Sequence, residues 1–278
     1  MKKTLKAFTL VELIVVMLIM TILLAGILQL FRPVRAAYQD AAYLENKRTV
    51  CNAISKYMTE SLRYAQFIGT YDAVTTGSGN ASDAGAKNAA NKLIKEIHDD
   101  TSHGLTDAQI DKIAPYMQVI CIDYSPVSYN NKDYTGRIYR YRFDGTAYSA
   151  GSNTYTAVSN SHMSFGEDYY GPNSYGVKVI YDGSMLTVAA STLGLYSSDS
   201  EVSDTNKIIT SSTAVELRNI TNPSAKGKLY FNELNGDPDD NGIPDMLEEA
   251  LSGSSLGSLA TGRFPYYFAF IPADKMPT

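Results

Sequence analysis

The segment KAFTLVEL, residues 6–13, stands at the start of an apolar run that continues to Phe31. Between Leu13 and Phe31 the sequence has no charged residue. In a helix that rises about 1.5 Å per residue, such a run nearly matches the roughly 30 Å hydrocarbon thickness of a bilayer. A cleavable secretory signal would have a shorter apolar core and then a small-residue cleavage site, whereas RPVR follows here at residues 32–35. The pattern predicts a membrane-spanning helix.

Glu12 lies near the start of this helix and calls for an electrostatic partner. A charged side chain at the bilayer centre costs about 2.5–3.5 kcal/mol on insertion scales, so an intramembrane carboxylate is usually paired. Cleavage between Ala7 and Phe8 would create an α-amino group on Phe8. That group could pair with Glu12 in the same chain or in a neighbouring copy.

A basic leader, a small residue before the cut, FTLVE at residues 8–12 and a hydrophobic helix fall here in one register. This arrangement resembles the type IV pilin and type II secretion pseudopilin family, which usually has Gly where this chain has Ala7. The resemblance implies cleavage after Ala7 by a prepilin peptidase, N-methylation of Phe8 and packing of the apolar helices in a filament core. It also implies that Glu12 neutralises the amino terminus of an adjacent subunit. An ordinary membrane anchor with a stray Glu is the alternative.

Charge and cysteine content indicate the compartment. The basic leader predicts a single-pass membrane protein with its N-terminus in the cytoplasm and the chain after Arg32 outside. The family resemblance implies that the chain then enters an extracellular or cell-surface filament. The net charge is −5 and would become more acidic without the leader lysines, so we predict no sequence-specific nucleic-acid binding. Arg137, Arg140 and Arg142 form either a local basic patch or a solvated strand face. Outside the cell, Cys51 and Cys121 would form a disulfide worth about 4 kcal/mol, or remain two buried free thiols.

The fold class expected is α+β, with one long N-terminal helix packed on a mostly antiparallel sheet. Small or apolar residues recur every three or four positions from Val34 to Ala65, which predicts that the helix continues to about Phe67 and bends at Pro33. The predicted parts are a leader (1–7), a transmembrane or filament-core helix (8–32), its amphipathic continuation (33–67) and an exported domain (68–278).

Within the exported domain, the Gly/Ser-rich stretch 73–91 predicts a loop, and a short helix is expected at Asn91–His98. A capping box at Thr106–Gln109 predicts a helix to about Met117. The stretch 144–174 is expected to be irregular. On the strand near residue 140, the face of Tyr139, Tyr141 and Phe143 is expected to pack inward, against the long helix, with Arg140 and Arg142 in water. Seven strands are expected, at residues 118–124, 136–143, 175–181, 184–190, 207–217, 228–231 and 264–271, and Asp182-Gly183 predicts a hairpin turn between the third strand and the fourth.

Residues 237–248, DPDDNGIPDMLE, fit the twelve-residue calcium loop of EF-hands, which predicts a structural Ca²⁺. Pro244 removes the backbone N–H that paired loops use, and a strand instead of a helix precedes the loop. An isolated extracellular calcium motif is therefore expected, and an acidic turn is the alternative. The oxygen ligands and the turn glycine would be Asp237, Asp239, Asn241, Gly242, the carbonyl of Ile243, Asp245 and Glu248.

Catalytic patterns are not recognised in the sequence. The three histidines, His98, His103 and His162, lack the spacing of a zinc or nucleophile site, and His98 with His103 is expected to be part of a polar helix end. The leading hypothesis is a non-enzymatic filament subunit. Its partners would be other pilin subunits, prepilin peptidase, the membrane and the assembly platform of a pilus or secretion system. A minor pilin that binds a surface, a glycan or DNA is the first alternative, and an anchored calcium-stabilised hydrolase is the second.

Overall fold

The computed structural model describes residues 10–71, 81–123, 125, 127–129, 132–171, 173–181, 185–193, 209–221, 227–231 and 266–273. The chain divides into two units, residues 1–46 and residues 47–278. Helix α1, Leu10–Leu62, begins in the first unit and ends in the second, and it continues through Pro33. The long helix and the mostly antiparallel sheet confirm the predicted α+β class.

The predicted helix end at Phe67 is wrong by five residues. The next element is strand β1, Ala65–Tyr71, and all seven of its residues are buried. A strand covered on both faces loses the alternation of apolar and polar residues that marks a half-buried strand. Ala65 and Phe67 therefore continued the helical spacing of apolar residues by chance.

The main sheet has six strands in the order β12-β1-β13-β2-β5-β8. Of its described strand pairs only β1 with β12 is parallel. The chain therefore returns to β1 from both sides late in the sequence. The other strands of this sheet are β2 (Gln118–Asp123), β5 (Arg137–Arg142), β8 (Asn160–Met163), β12 (Lys228–Phe231) and β13 (Tyr266–Pro272).

A second sheet has three antiparallel strands in the order β11-β10-β9. The Asp182-Gly183 turn predicted between β9 and β10 lies outside the described residues, but the strands beside it pair as predicted. Two short ribbons, β3-β4 and β6-β7, complete the described strands. The bounds are β9 (Ser174–Tyr181), β10 (Met185–Leu193), β11 (Thr210–Glu216), β3 (Val127–Tyr129), β4 (Lys132–Tyr134), β6 (Tyr148–Ser149) and β7 (Thr154–Tyr155).

Two apolar cores lie on the two faces of the main sheet. The first core contains the end of α1, the three-stranded sheet and residues such as Ile120 and Ile138. The α1 residues in it follow helical spacing, which is why one face of this half of the helix is buried. They are Val50, Cys51, Ile54, Met58 and Leu62.

The second core is built around helix α2, Asp83–Asp99. This helix contains the short helix predicted at Asn91–His98, but it begins earlier, within the loop predicted at residues 73–91, of which 73–80 lie outside the described residues. Ser82 caps α2 by accepting a hydrogen bond from the Gly85 amide, and Ala86, Ala89 and Ala90 bury small side chains at helical spacing. The loop prediction is wrong for residues 83–90 because small residues are common both in loops and on the buried face of a helix.

The helix predicted after Thr106 is confirmed. Helix α3, Asp107–Ile113, begins with the capping box of Thr106 and Gln109, and a 3₁₀ turn extends it to Tyr116. Two shorter helices follow later in the chain, α4 (Glu167–Tyr170) and α5 (Arg218–Thr221).

The stretch 144–174 is more regular than predicted, since it contains β6, β7, β8 and α4. The packing predicted for β5 is corrected as well. Tyr141 and Phe143 are buried as expected, but in the second core, against α2 and not against α1. Ile138, on the opposite face of β5, packs in the first core with α1.

Candidate functional site

The apolar half of α1 is exposed along its whole length. Every residue from Leu10 to Tyr43 is exposed, and apolar side chains such as Leu18 (58% exposed) and Leu24 (53% exposed) lie on all sides of the helix. The run from Leu10 qualifies by length and composition as a membrane span, with a mean hydropathy of 2.8 in its most apolar window. A helix that is apolar all round requires an apolar environment from outside the chain.

The few polar groups of this segment are arranged for such an environment. The Thr21 hydroxyl donates to the Leu18 carbonyl at 2.8 Å and lies 3.1 Å from that of Met17, so the helix itself satisfies it. Glu12 lies in the first turn of the described helix and is exposed. A carboxylate in the first turn interacts favourably with the positive end of the helix dipole. The processing residues Ala7 and Phe8 lie outside the described residues.

Cys51 and Cys121 are buried free thiols in the structure. Of the two alternatives considered from the sequence, a disulfide or two buried thiols, the structure has the buried thiols. Cys51 belongs to the first core and Cys121 to the second, on opposite faces of the main sheet. The Cys51 thiol donates to the Ile209 carbonyl at 3.6 Å, and burial raises its pKa to about 11. Burial also raises the pKa of Cys121. Neither thiol has the low pKa of a reactive cysteine.

The predicted calcium ligands, Asp237, Asp239, Asn241, Ile243, Asp245 and Glu248, all lie outside the described residues. The strands on both sides of that stretch, β12 and β13, are described, and both pair with β1. Among the described residues, no group of three or more His, Cys, Asp or Glu side chains is placed to hold a metal ion.

The histidines near residue 100 have the structural role expected for a polar helix end. The His98 ring lies 3.2 Å from an Asp107 carboxylate oxygen, which joins α2 to the start of α3. The His103 ring donates from Nε2 to the Ile97 carbonyl at 2.7 Å, and its Nδ1 accepts from the Leu105 amide. Both ring nitrogens of His103 are therefore used within this turn.

Arg137 at the start of β5 is fully buried, and this burial could not be predicted from the sequence. Its Nε donates to the Glu167 carboxylate at 3.0 Å, and its Nη1 donates to the carbonyls of Thr135 and Asn173. The guanidinium also lies 4.5 Å from the centre of the Tyr170 ring. Arg137 thus fastens the segment before β9 to the main sheet and is not available to a ligand.

Arg140, three residues later, borders an open cleft of about 840 Å³ beside α1. Its guanidinium donates to the Gln118 side-chain oxygen from Nε at 3.1 Å and to the Tyr57 hydroxyl at 3.3 Å. The Tyr57 hydroxyl also accepts from Ser164, and its ring packs edge-on against Phe165 at 5.3 Å. Sequence analysis missed this cleft because its residues come from segments far apart in the chain.

Comparison with known proteins finds a similarity for one part of the chain, its N-terminal segment. Residues 3–28 match the family model described as the prokaryotic N-terminal methylation motif. No curated protein and no solved structure gives a significant match. The motif supports a membrane-anchored precursor of the pilin or pseudopilin type that prepilin peptidase processes, a class made up of structural subunits that assemble with other pilin subunits.

Proposed function

We propose that this protein is a structural, non-enzymatic subunit of a type IV pilus-like or type II secretion pseudopilus filament. Prepilin peptidase would cleave it after Ala7, and Phe8 would become the N-methylated amino terminus. The subunit would be inserted in the membrane before assembly, and the assembly platform would then transfer it to a cell-surface filament. The observation that carries the proposal is the exposed apolar half of α1, which begins within the matched methylation motif.

A helix that is apolar on all sides must be covered by an apolar partner from outside the chain. Contiguous exposed apolar patches larger than a few hundred Å² mark membrane or protein interfaces. Lipid covers the helix before assembly, and the same helices of neighbouring copies cover it in a filament. One surface therefore serves both states, because neither environment requires a polar face.

Pairing of Glu12 would fix the axial position of one subunit against its neighbour, which apolar packing alone does not define. Two unit charges at 4 Å interact by about 1 kcal/mol in water and by about 4 kcal/mol at an effective dielectric constant of 20. Pairing of Glu12 with the amino group of Phe8 on a neighbour therefore gains most where water is excluded. A subunit out of register would leave both charges buried without compensation.

The test compares Glu12→Ala with Asp40→Ala in the full-length chain. Asp40 is an exposed carboxylate on the same helix beyond the apolar run, so it controls for the loss of one charge. We expect normal membrane insertion of both variants, as measured by fractionation, and loss of filaments only for Glu12→Ala. Sheared filaments are quantified by immunoblotting. Normal filament levels with Glu12→Ala would refute this role.

Processing is tested separately. Mass spectrometry of the mature chain should find an N-terminus at methylated Phe8, and Ala7→Leu should leave the leader attached. The bulky leucine would not fit where the peptidase accepts a small residue. An N-terminal leader that is still attached in the protein without a substitution would contradict the proposal.

We also propose that residues 237–248 bind one structural Ca²⁺. The donor set consists of carboxylate, amide and carbonyl oxygens, which calcium prefers, and the spacing matches the calcium loop at each ligand position. Extracellular sites of this kind bind with a Kd of about 10⁻⁴–10⁻³ M. At about 10 mM calcium, ligand binding would then stabilise the folded state by about 1.4–2.7 kcal/mol.

The calcium test uses two adjacent glutamates. We expect calcium to raise the Tm of the full-length protein in non-ionic detergent by about 3–10 °C relative to chelator, given a sensitivity of about 2–4 °C per kcal/mol. Glu248→Gln, at the bidentate position, should abolish this rise. Glu249→Gln, one residue later, should preserve it. A Tm that does not respond to calcium in the unmodified protein would refute the site.

A further inference from the structure

We infer that the cleft beside Arg140 and the sheet surface next to it bind an acidic saccharide, a sugar chain that carries carboxylate or sulfate groups. This inference goes beyond the filament role and does not depend on it. It rests on the position of the cationic side chains, on their lack of carboxylate partners and on the aromatic wall of the cleft.

The strand register places several cationic or polar side chains on one face of the sheet. Arg140 lies directly opposite His162 of β8, and Arg142 lies opposite Asn160. Directly paired residues of antiparallel strands share a face, and so do residues two apart on one strand. Lys56 of α1 lines the same cleft as Arg140. We call Lys56, Arg140, Arg142 and His162 the basic face.

Within the described part of the chain, no carboxylate pairs with the cationic side chains of the basic face. None of its three permanently charged residues forms an ion pair with a described residue. The carboxylate of Glu60 also lines the cleft, and it lies 3.9 Å from Arg63. By contrast, Arg137 on the same strand is paired with Glu167. In a chain with a net charge of −5, a cationic surface whose charges form no ion pair with a described residue suits an anionic ligand.

The Arg140 guanidinium is held in place by neutral acceptors. Gln118 accepts from its Nε and Nη2, and the Tyr57 hydroxyl accepts from its Nη1. These contacts fix the plane of the guanidinium without cancelling its charge. A guanidinium held in this way can donate its remaining N–H groups to a carboxylate or sulfate, which is the geometry that arginine provides and lysine does not.

The cleft walls favour a sugar ring over a bare anion. Tyr57 and Phe165 present aromatic surface, while Ser61 and Gln118 add polar groups. A pyranose has an apolar face of C–H groups and a polar rim, so it can contact both kinds of wall. Duplex DNA carries one charge per roughly 1.7 Å of its axis, and this acidic protein would repel most of that charge beyond the small basic face.

The test measures binding of the full-length protein in non-ionic detergent to immobilised polymers by biolayer interferometry. Polygalacturonate supplies carboxylates, dextran sulfate supplies sulfates, neutral dextran is the control polymer and short single-stranded DNA is the competing ligand. We expect binding to one or both acidic polysaccharides and none to dextran. The comparison of the first two identifies the anionic group.

Paired charge variants locate the site. The double variant of Lys56→Gln and Arg142→Gln should weaken binding about tenfold, since each exposed ion pair contributes a few-fold. The matched double variant of Lys95→Gln and Lys112→Gln removes the same charge from exposed positions on α2 and α3, on the other side of the sheet, and should change binding less than about twofold. Arg140→Lys keeps the charge but loses the planar guanidinium and its hydrogen bonds to Gln118 and Tyr57, and it should weaken binding several-fold while the protein still folds.

Three results would overturn the inference. The first is that neither acidic polysaccharide binds more tightly than dextran. The second is that the Lys95 and Lys112 control weakens binding as much as the Lys56 and Arg142 variant. The third is that DNA binds more tightly than both polysaccharides and loses affinity in the basic-face variant, which would make the face a nucleic-acid site.

Discussion

Gly136→Ala is expected to destabilise the domain severely. Gly136 has φ +81°, and a β-carbon there would lie 1.8 Å from the Tyr175 carbonyl oxygen. Ordinary contact would require the two backbones to separate by about 1.5 Å, given carbon–oxygen contacts of roughly 3.3–3.6 Å. That shift would break the bonds from the Tyr175 amide to the Thr135 carbonyl (3.1 Å) and from the Thr135 amide to the Ser174 hydroxyl (3.0 Å).

The magnitude follows from two contributions. A non-glycine residue at positive φ costs about 1–2 kcal/mol, and each buried group left without its hydrogen bond costs about 1–3 kcal/mol. With two hydrogen bonds broken, their sum is about 3–8 kcal/mol, which corresponds to a fall in Tm of at least about 6 °C for a domain of this size. The loss would also loosen Arg137, whose Nη1 donates to the carbonyl of Asn173 beside this junction.

The assay is thermal unfolding of the full-length protein in detergent, followed by tyrosine fluorescence, because the chain has 21 tyrosines and no tryptophan. Gly151→Ala is the matched control, since a β-carbon at Gly151 would meet nothing within 4 Å and its φ is not positive. We expect the control to melt within about 2 °C of the unmodified protein. A Gly136→Ala protein that melts with the control would refute the close approach of β5 and β9.

Three further predictions concern the helix, an ion pair and the thiols. Ile54→Ala should destabilise the domain by about 2–5 kcal/mol because Ile54 is fully buried, whereas Ile22→Ala, at a residue 64% exposed, should leave the domain Tm unchanged. The Lys228 ammonium beside Asp100 lowers the pKa of that carboxyl, so the stabilising effect of the ion pair is complete above the ordinary carboxyl pKa and is lost as the pH falls through the lowered value. Asp100→Asn should therefore show a smaller drop in Tm between pH 5 and pH 3 than the unmodified protein. An equal drop would contradict the contact. Maleimide should label neither Cys51 nor Cys121 in the native protein at pH 8 and both after unfolding without reductant, and failure to label the unfolded chain would indicate a disulfide.

The membrane helix and most strands could be predicted from the sequence because their signals are local. Seven predicted strands were confirmed, with ends that differ by a few residues, including the β9-β10 hairpin. The capping box at Thr106 placed the start of α3 correctly, because it depends on two side chains three residues apart. Alternation, capping and turn residues act within a few positions, so they leave a trace in a single sequence.

The errors share a different cause. The start of β1, residues 65–67, was assigned to the helix because burial on both faces removes the alternation of this strand. The first half of α2 was assigned to a loop because its buried residues there are only glycine and alanine. In both segments tertiary burial decides the structure, and composition alone does not record it. The order of the main sheet, in which β1 lies between two strands from the end of the chain, was also beyond local patterns.

The three arginines of β5 show what this limit means for the candidate ligand site. In the sequence they appear as one basic cluster, with a patch or a solvated face as its possible roles. In the structure Arg137 is buried against Glu167, Arg140 is fixed at a cleft by neutral acceptors, and Arg142 is exposed. Their difference comes from partners 22 to 83 residues away. A binding face therefore cannot be counted from charged residues along a strand, because a distant carboxylate has already neutralised one of the three.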